Sequence, residues 1–237
     1  MVKEILLANK IDVDKIKEGC IYSFLNLASI GSIFDDKKGR SEIIYAADGM
    51  LLALMFSLLT KRKVGRYSFD YTSLARPFFL KCRDNQQSIF LFGASEVELE
   101  RFIRRLSGDY HGLQILGVTH GFIGREKWDM LIEKIIKLSP DYTIVGLGAG
   151  LQDEFLLKLK QSGYLGTGIT CGGFIRQESG SSKQYYPEWI NNLRLRAFYR
   201  MWKEPHTIKR YLFDYPINAL KLIYTFYRKD LLIKPFQ

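Results

Sequence analysis

From residue 88 onward the chain alternates short apolar runs with amphipathic stretches, joined by brief glycine-bearing turns. Ser88-Ile-Phe-Leu-Phe-Gly93, Gln114-Ile-Leu-Gly-Val118, Tyr142-Thr-Ile-Val-Gly146 and Gly168-Ile-Thr-Cys171 read as strands. Their near-continuous apolar character is that of strands covered on both faces. Between the first two, Ser95-Glu-Val-Glu98 forms a capping-box pattern ahead of Leu99, Phe102, Ile103 and Leu106, which share a helical face. Further helices are expected from Lys127 to Leu138 and from Leu151 to Gln161. Strand and helix in strict alternation predict a parallel sheet with helices on its faces. Such sheets bind ligands outside the carboxyl ends of their strands, so the loops starting at Gly93, Thr119, Gly146 and Gly172 are the ones to watch. Ahead of residue 85 the pattern is less regular: Ile21 to Ile30 reads as a strand and Met50 to Leu59 as a buried helix.

A chain of 237 residues, 47% of them hydrophobic, suffices for one good-sized core with an appendage. The division expected is a core at 1–192 and an appendage at 193–237. The net charge is +10, and the last 45 residues hold ten Lys/Arg against three Asp/Glu, so seven of those charges sit there. Ten aromatic residues share the segment. Leu193, Ala197 and Met201 fall on one helical stripe and Arg196, Arg200 and Lys203 on another, with Pro205 ending the helix. After Pro216 a second stretch groups Ile217, Leu220, Tyr224 and Tyr227, away from Lys221 and Arg228. Basic amphipathic helices with boundary aromatics lie in membrane interfaces, and they equally cap a sheet with a solvated basic face. Composition leaves both open. The N-terminus lacks the apolar core and small-residue cleavage site of a secretory signal, and no apolar run approaches the roughly 20 residues of a spanning helix. Cys20, Cys82 and Cys171, odd in number and far apart, suit reduced thiols in a cytoplasmic protein.

Candidate chemistry is sparse. Gly146-Leu-Gly-Ala-Gly150 resembles a dinucleotide loop but follows a late strand and runs on into Leu151, which argues against that use. Its turn can still direct backbone N–H groups at a phosphate. Gln152, Asp153 and Glu154 open the next helix; the two acids complement its dipole, and Gln152 has no such reason to be there. Asp48, in Ala47-Asp48-Gly49, is either a helix cap or a carboxylate at a pocket edge, placed to take a hydroxyl proton. Arg66 and Asp70 are spaced for a helical ion pair, or Arg66 contacts phosphate. Asp12-Val13-Asp14 has the D-x-D spacing of metal-holding sugar transferases, but its charged surroundings read as surface. His111, His120 and His206 share no ligand spacing, and a P-loop, a serine nucleophile elbow and zinc spacing are absent.

These signals occur in an order that resembles the WecG/TagA/CpsF glycosyltransferases (glycosyltransferase family 26). Asn26, Ala-Asp48-Gly49, Arg66 and Asp70 match the first half of that pattern, and Phe90-Leu-Phe-Gly93 its central strand. Pro140-Asp-Tyr-Thr-Ile-Val-Gly-Leu-Gly148 with Gln152-Asp153 matches its glycine block, and Gly172-Gly173-Phe174 with Gly180, Pro187 and Trp189 a later one. Tyr199-Arg200-Met-Trp-Lys-Glu204-Pro205 with Lys209-Arg210-Tyr211 matches its final block. The chain departs from the pattern at Phe24 (usually Thr), Phe69 (Gly), Gly150 (Pro), Leu151 (basic), Asp153 (Glu), Arg196 (Glu) and His206 (Arg).

The resemblance implies a Rossmann-like α/β fold with a basic amphipathic helical C-terminal appendage that touches the membrane. It implies an inverting transferase with no metal or other cofactor. The donor would be a UDP-sugar of the N-acetylmannosamine type or a related one, and the acceptor a polyprenyl-diphosphate-linked sugar for a bacterial surface glycan. The protein would be cytoplasmic and peripheral on the inner face of the cell membrane, engaging its anionic surface and no nucleic acid. By position, Asp48 would be the general base and Asn26 would hold a sugar. Gly146, Gly148, Gln152, Asp153 and Gly173 would line the substrate site, while Arg66, Arg200 and Arg210 would neutralise diphosphate. The competing reading is a non-catalytic basic α/β module that binds anionic lipid or nucleic acid. Self-association is left open.

Overall fold

The computed structural model describes residues 2–35, 41–180, 190 and 196–236. Eight strands form one open sheet: β1 (Lys3–Ala8), β2 (Ile21–Leu25), β3 (Ile43–Ala47), β4 (Ser88–Gly93), β5 (Gln114–Thr119), β6 (Tyr142–Gly146), β7 (Thr167–Thr170) and β8 (Leu231–Phe236). Their spatial order is β5-β4-β6-β7-β2-β3-β1-β8, and every pairing is parallel. The helices are α1 (Gly31–Asp35), α2 (Met50–Thr60), α3 (Ala75–Asp84), α4 (Glu96–Asp109), α5 (Trp128–Leu138), α6 (Leu151–Gln161), α7 (Phe174–Ser179), α8 (Arg196–Lys203) and α9 (Tyr215–Tyr227).

The period-two alternation of each strand builds two cores. Leu25, Tyr45, Phe90, Phe92 and Val145 pack on one face with residues of α2, α5, α6 and α9. Tyr22, Ile44, Leu91 and Ile144 pack on the other with α3, α4 and α7. The expected α/β, Rossmann-like architecture is therefore present, and α4 opens with the expected capping box: Glu98 N donates to Ser95 Oγ, and Ser95 N donates to Glu98 Oε2.

Three expectations need correction. The strand from Ile21 ends at Leu25 rather than Ile30, because the Asn26 side-chain carbonyl accepts from Ala28 N and Ser29 N and turns the chain. The apolar stretch at Met50 does form a helix, yet only Leu52, Ala53 and Phe56 in it are fully buried; Met50, Leu51, Leu54 and Leu58 face outward. The appendage is not wholly helical. Its last described element, β8, extends the sheet beside β1, with Pro235 on an edge strand, where a missing N–H is tolerated. Leu222 of α9 is fully buried in the first core. The Leu193, Pro187 and Trp189 positions lie outside the described residues, as do the side chains of Arg196, Ala197, Arg200 and His206.

Glycine sets how closely the central strands end. A Cβ on Gly93 would stand 2.6 Å from the Gly146 carbonyl oxygen, and one on Gly146 would stand 2.6 Å from that of Gly172. Three backbones thus stack at the carboxyl ends of β4, β6 and β7 with no room for a methyl group. Gly146→Ala should cost about 1–3 kcal/mol by overpacking, read as a fall in Tm of several degrees. An unchanged melting curve would show that the strand ends are not tightly held.

Candidate active site

The carboxyl ends of β2, β3, β4, β5, β6 and β7 open into one cavity of about 980 Å³. The appendage closes its far side with Glu204, Arg210, Tyr211, Asp214 and Tyr215. This size is at the upper end of the range for small-molecule sites. Of the residues singled out above, the cavity gathers Asn26, Asp48, Arg66, Gly146, Gly148, Gln152, Gly173 and Arg210. Residues from positions 26 to 210 meet there because parallel strands deliver every loop to the same edge.

Asp48 follows β3 directly. Its amide donates to Leu25 O at 2.6 Å, pinning it beside the end of β2, and its side chain is one-third exposed. Arg66 comes from an irregular segment joined to β3 by an Ala47–Arg66 bridge, so its pairing with Asp70 is not the helical one its spacing suggested. Arg66 Nη2 donates to Ser68 Oγ at 2.6 Å, to Asp70 Oδ2 at 3.1 Å and to Asp48 Oδ1 at 3.4 Å. Asp70 also accepts from Ser68 Oγ and from Thr72 N and Oγ1. Asp70 thus fixes the guanidinium, which in turn reaches Asp48 at the cavity wall.

Gln152 is buried at the start of α6, where its side-chain oxygen accepts from Gly172 N at 3.2 Å. It ties the β6 turn to the β7 loop. Asp153, its neighbour, points elsewhere: it is buried against the sheet, accepting from Ser23 Oγ at 2.7 Å and Tyr45 Oη at 3.2 Å, and is not among the cavity-lining residues. Its geometry is that of an anchor for α6. Asn26 lines the cavity while its carbonyl holds the turn after β2. Asp12 of the D-x-D caps its own turn by accepting from Asp14 N, away from the cavity.

Sequence reasoning missed Arg176, which lines the cavity from α7 and donates to the buried Glu204 at 2.9 Å. The pair joins the core to the appendage across 28 positions. Glu204 stands in the matched final block, but nothing in the sequence marks Arg176 as its partner. Asn218 of α9 adds a second tie, donating to Leu27 O at 2.8 Å on the β2 loop. Two departures from the family pattern prove to be neighbours: the Phe24 and Phe69 rings lie 6.5 Å apart, both at the cavity. Gly150 has φ +84°, unreachable for the proline that the pattern carries there, so the β6–α6 turn takes a different path in this chain.

Fold and site together define a Rossmann-like α/β protein with a large cavity at the strand carboxyl ends, lined by arginines and a partly exposed carboxylate. A family model for the glycosyl transferase WecG/TagA/CpsF family matches residues 14–230. The chain belongs to that family and is a glycosyltransferase. It is 31% identical over 205 residues (86% of this chain, 85% of the relative) to the UDP-Gal:alpha-D-GlcNAc-diphosphoundecaprenol beta-1,4-galactosyltransferase of Shigella boydii. It is 28% identical over 138 residues (57% and 53%) to the N-acetylglucosaminyldiphosphoundecaprenol N-acetyl-beta-D-mannosaminyltransferase of Bacillus subtilis (strain 168). The enzyme of the same name from Bacillus spizizenii is 25% identical over 167 residues (70% and 62%).

Burial pushes the Cys171 thiol at the cavity floor up to about 12, and Cys82 in the second core also to about 12. A raised thiol pKa keeps the neutral, unreactive form at neutral pH. Iodoacetamide at pH 8 should therefore modify the half-buried Cys20 first, with Cys82 and Cys171 reacting only on denaturation. Peptide mass mapping reads this out; early modification of Cys171 would contradict the burial.

Proposed function

We propose that this enzyme moves a hexose from a UDP-sugar onto a polyprenyl-diphosphate-linked sugar, with inversion and without a metal, in bacterial surface glycan synthesis. The observation that carries the reading is the Asp48–Arg66–Asp70 cluster at the mouth of the β3 loop, inside a cavity large enough for donor and acceptor head groups. The printed names of all three relatives give a diphosphoundecaprenol acceptor bearing N-acetylglucosamine and a β-linked product. UDP-hexoses are α-linked, so a β product calls for a single displacement from the opposite face.

In that displacement Asp48 takes the proton of the acceptor hydroxyl as its oxygen attacks the anomeric carbon, and the bond to UDP breaks. Arg66 holds the carboxylate in place. The leaving diphosphate carries the developing charge, which Arg210 and Arg176 at the cavity offset together with the Gly146–Gly148 turn, and Arg200 joins them by its match to the family pattern alone. Asn26, Gln152 and Gly173 shape the sugar and nucleotide pockets, and Asp153 supports Gln152 from below. The donor is an N-acetylmannosamine-type sugar or a related one, and the galactosyltransferase likeness makes UDP-galactose the first to try. The same reading divides the chain at 192/193 and places the basic appendage on the anionic inner face of the cell membrane. No helix among the described residues is long and apolar enough to cross a membrane.

The test is UDP release with a panel of UDP-sugars and a short-chain polyprenyl-diphosphate N-acetylglucosamine acceptor. Turnover should depend on acceptor, persist in EDTA, and fall by about two to four orders of magnitude in Asp48→Asn with the fold intact by circular dichroism. Acceptor-dependent turnover untouched by the substitution would remove Asp48 as the base. No turnover with any donor, together with lipid or nucleic-acid binding, would favour the non-catalytic module.

A further inference from the structure

Helix α2 does not look like the surface helix of a water-soluble protein. Its sequence, MLLALMFSLLT, offers only Ser57 and Thr60 as polar side chains. One face packs on the sheet through Leu52, Ala53 and Phe56. The other should then be polar. Instead it exposes Met50 (54%), Leu51 (53%), Leu54 (56%) and Leu58 (70%), a single stripe at helical spacing. Three exposed cations, Lys61, Arg62 and Lys63, follow immediately.

The stripe is not isolated. Leu51 and Tyr215 both border the large cavity, at the starts of α2 and α9. A smaller cavity of about 240 Å³ is bordered by Leu59 and Arg62 on one side and Phe226 on the other, at the ends of the same two helices. The two helices thus share the rims of both cavities. On the same side of the large cavity's rim, α9 and the residues before it also expose apolar side chains, among them Leu212, Phe213, Ile217, Leu220, Tyr224 and Tyr227. An apolar area of this extent, edged by cations, marks a docking surface.

We infer that the outer face of α2 docks into the interfacial layer of an anionic phospholipid bilayer, as an element of membrane attachment separate from the appendage. Lys61, Arg62 and Lys63 match anionic head groups, and leucine and methionine match the acyl boundary, where interfacial helices sink about 5–10 Å. A second copy of this chain fits less well, since each carries a net charge of +10 and brings like charge to the contact. Asp48 lies two residues before Met50, so docking α2 sets the catalytic mouth at the lipid surface. The inference deepens the proposed function through its lipid-linked acceptor, but its test uses no sugar donor, so its failure leaves the transferase reading standing.

The experiment is flotation of the full-length protein with equimolar phosphatidylglycerol–phosphatidylcholine vesicles, comparing wild type with Leu54→Gln/Leu58→Gln. Both positions are more than half exposed and glutamine favours helix, so the fold should survive, checked by circular dichroism and Tm. Partitioning should weaken about tenfold or more. Arg62→Gln/Lys63→Gln should also weaken partitioning, by a margin that widens as salt is lowered, because the variant loses part of the head-group attraction. Hydrogen exchange gives a second readout: vesicles should slow exchange at 50–63 as well as in α9. Equal flotation of wild type and the leucine variant would overturn the inference. So would protection confined to the appendage, or protection at 50–63 that grows with protein concentration and ignores vesicles, which would mark a self-contact.

Discussion

The stacked backbones of Gly93, Gly146 and Gly172 hold the ends of β4, β6 and β7 against one another, and the cavity floor is what that contact leaves exposed. Parallel strands all finish on one edge, but they need not finish close together. Here the absence of two side chains, at Gly93 and Gly146, lets main chain pack on main chain, and the loops that follow line a shared cavity. Gln152 then fastens the turn after β6 to Gly172 on the next strand. The geometry of the site is inherited from this packing before any catalytic group is considered.

How much of this could be read from sequence differs between the halves of the chain. Between residues 88 and 171 the strands are apolar runs and the turns carry glycine, so period and punctuation agree and these elements fall within a residue or two of expectation. The first half resists because its decisive features are side-chain events. Asn26 ends β2 by folding its carbonyl onto its own turn, which no hydrophobic pattern records. β8 was hidden for another reason: Leu-Leu-Ile-Lys-Pro-Phe holds a cation and a proline that a central strand would reject and an edge strand accepts. At the site, Asp48 on its own read first as a helix cap and only the family pattern gave it another role; in the structure the residue ahead of α2 is Gly49, with no side-chain cap. The Arg176–Glu204 pair had no local signal at all, since it is made by tertiary contact.

That pair, with Asn218 and β8, changes the physical character of the appendage. A tail joined to the core only by a linker would be free to leave it. This one donates a strand to the sheet, buries Leu222 in the core and closes a buried carboxylate onto Arg176. A buried carboxylate left without its cation is costly, so Glu204 favours the state in which the appendage covers the cavity. Arg210, Tyr211 and Tyr215 are thereby held over the β2 and β3 loops. Removing the whole segment would uncover an edge strand and part of the core along with any surface it presents, so point substitutions separate its roles more cleanly than truncation.

The two aromatic departures from the family pattern follow the same logic of contact. Phe24 replaces a threonine and Phe69 a glycine, and either change alone alters the volume at the cavity wall. Together the rings meet, and Phe69 also packs edge-on against Phe78, Phe79 and Phe174. The bulk added at both positions lines the cavity on one side and packs into an aromatic cluster of the second core on the other. The hydroxyl lost at position 24 has a substitute close by, since Thr170 Oγ1 accepts from Phe24 N and donates to Ser23 Oγ, which in turn donates to Asp153. The polar network under the site therefore runs through Ser23 and Thr170, and the wall above it is more apolar than the pattern prescribes.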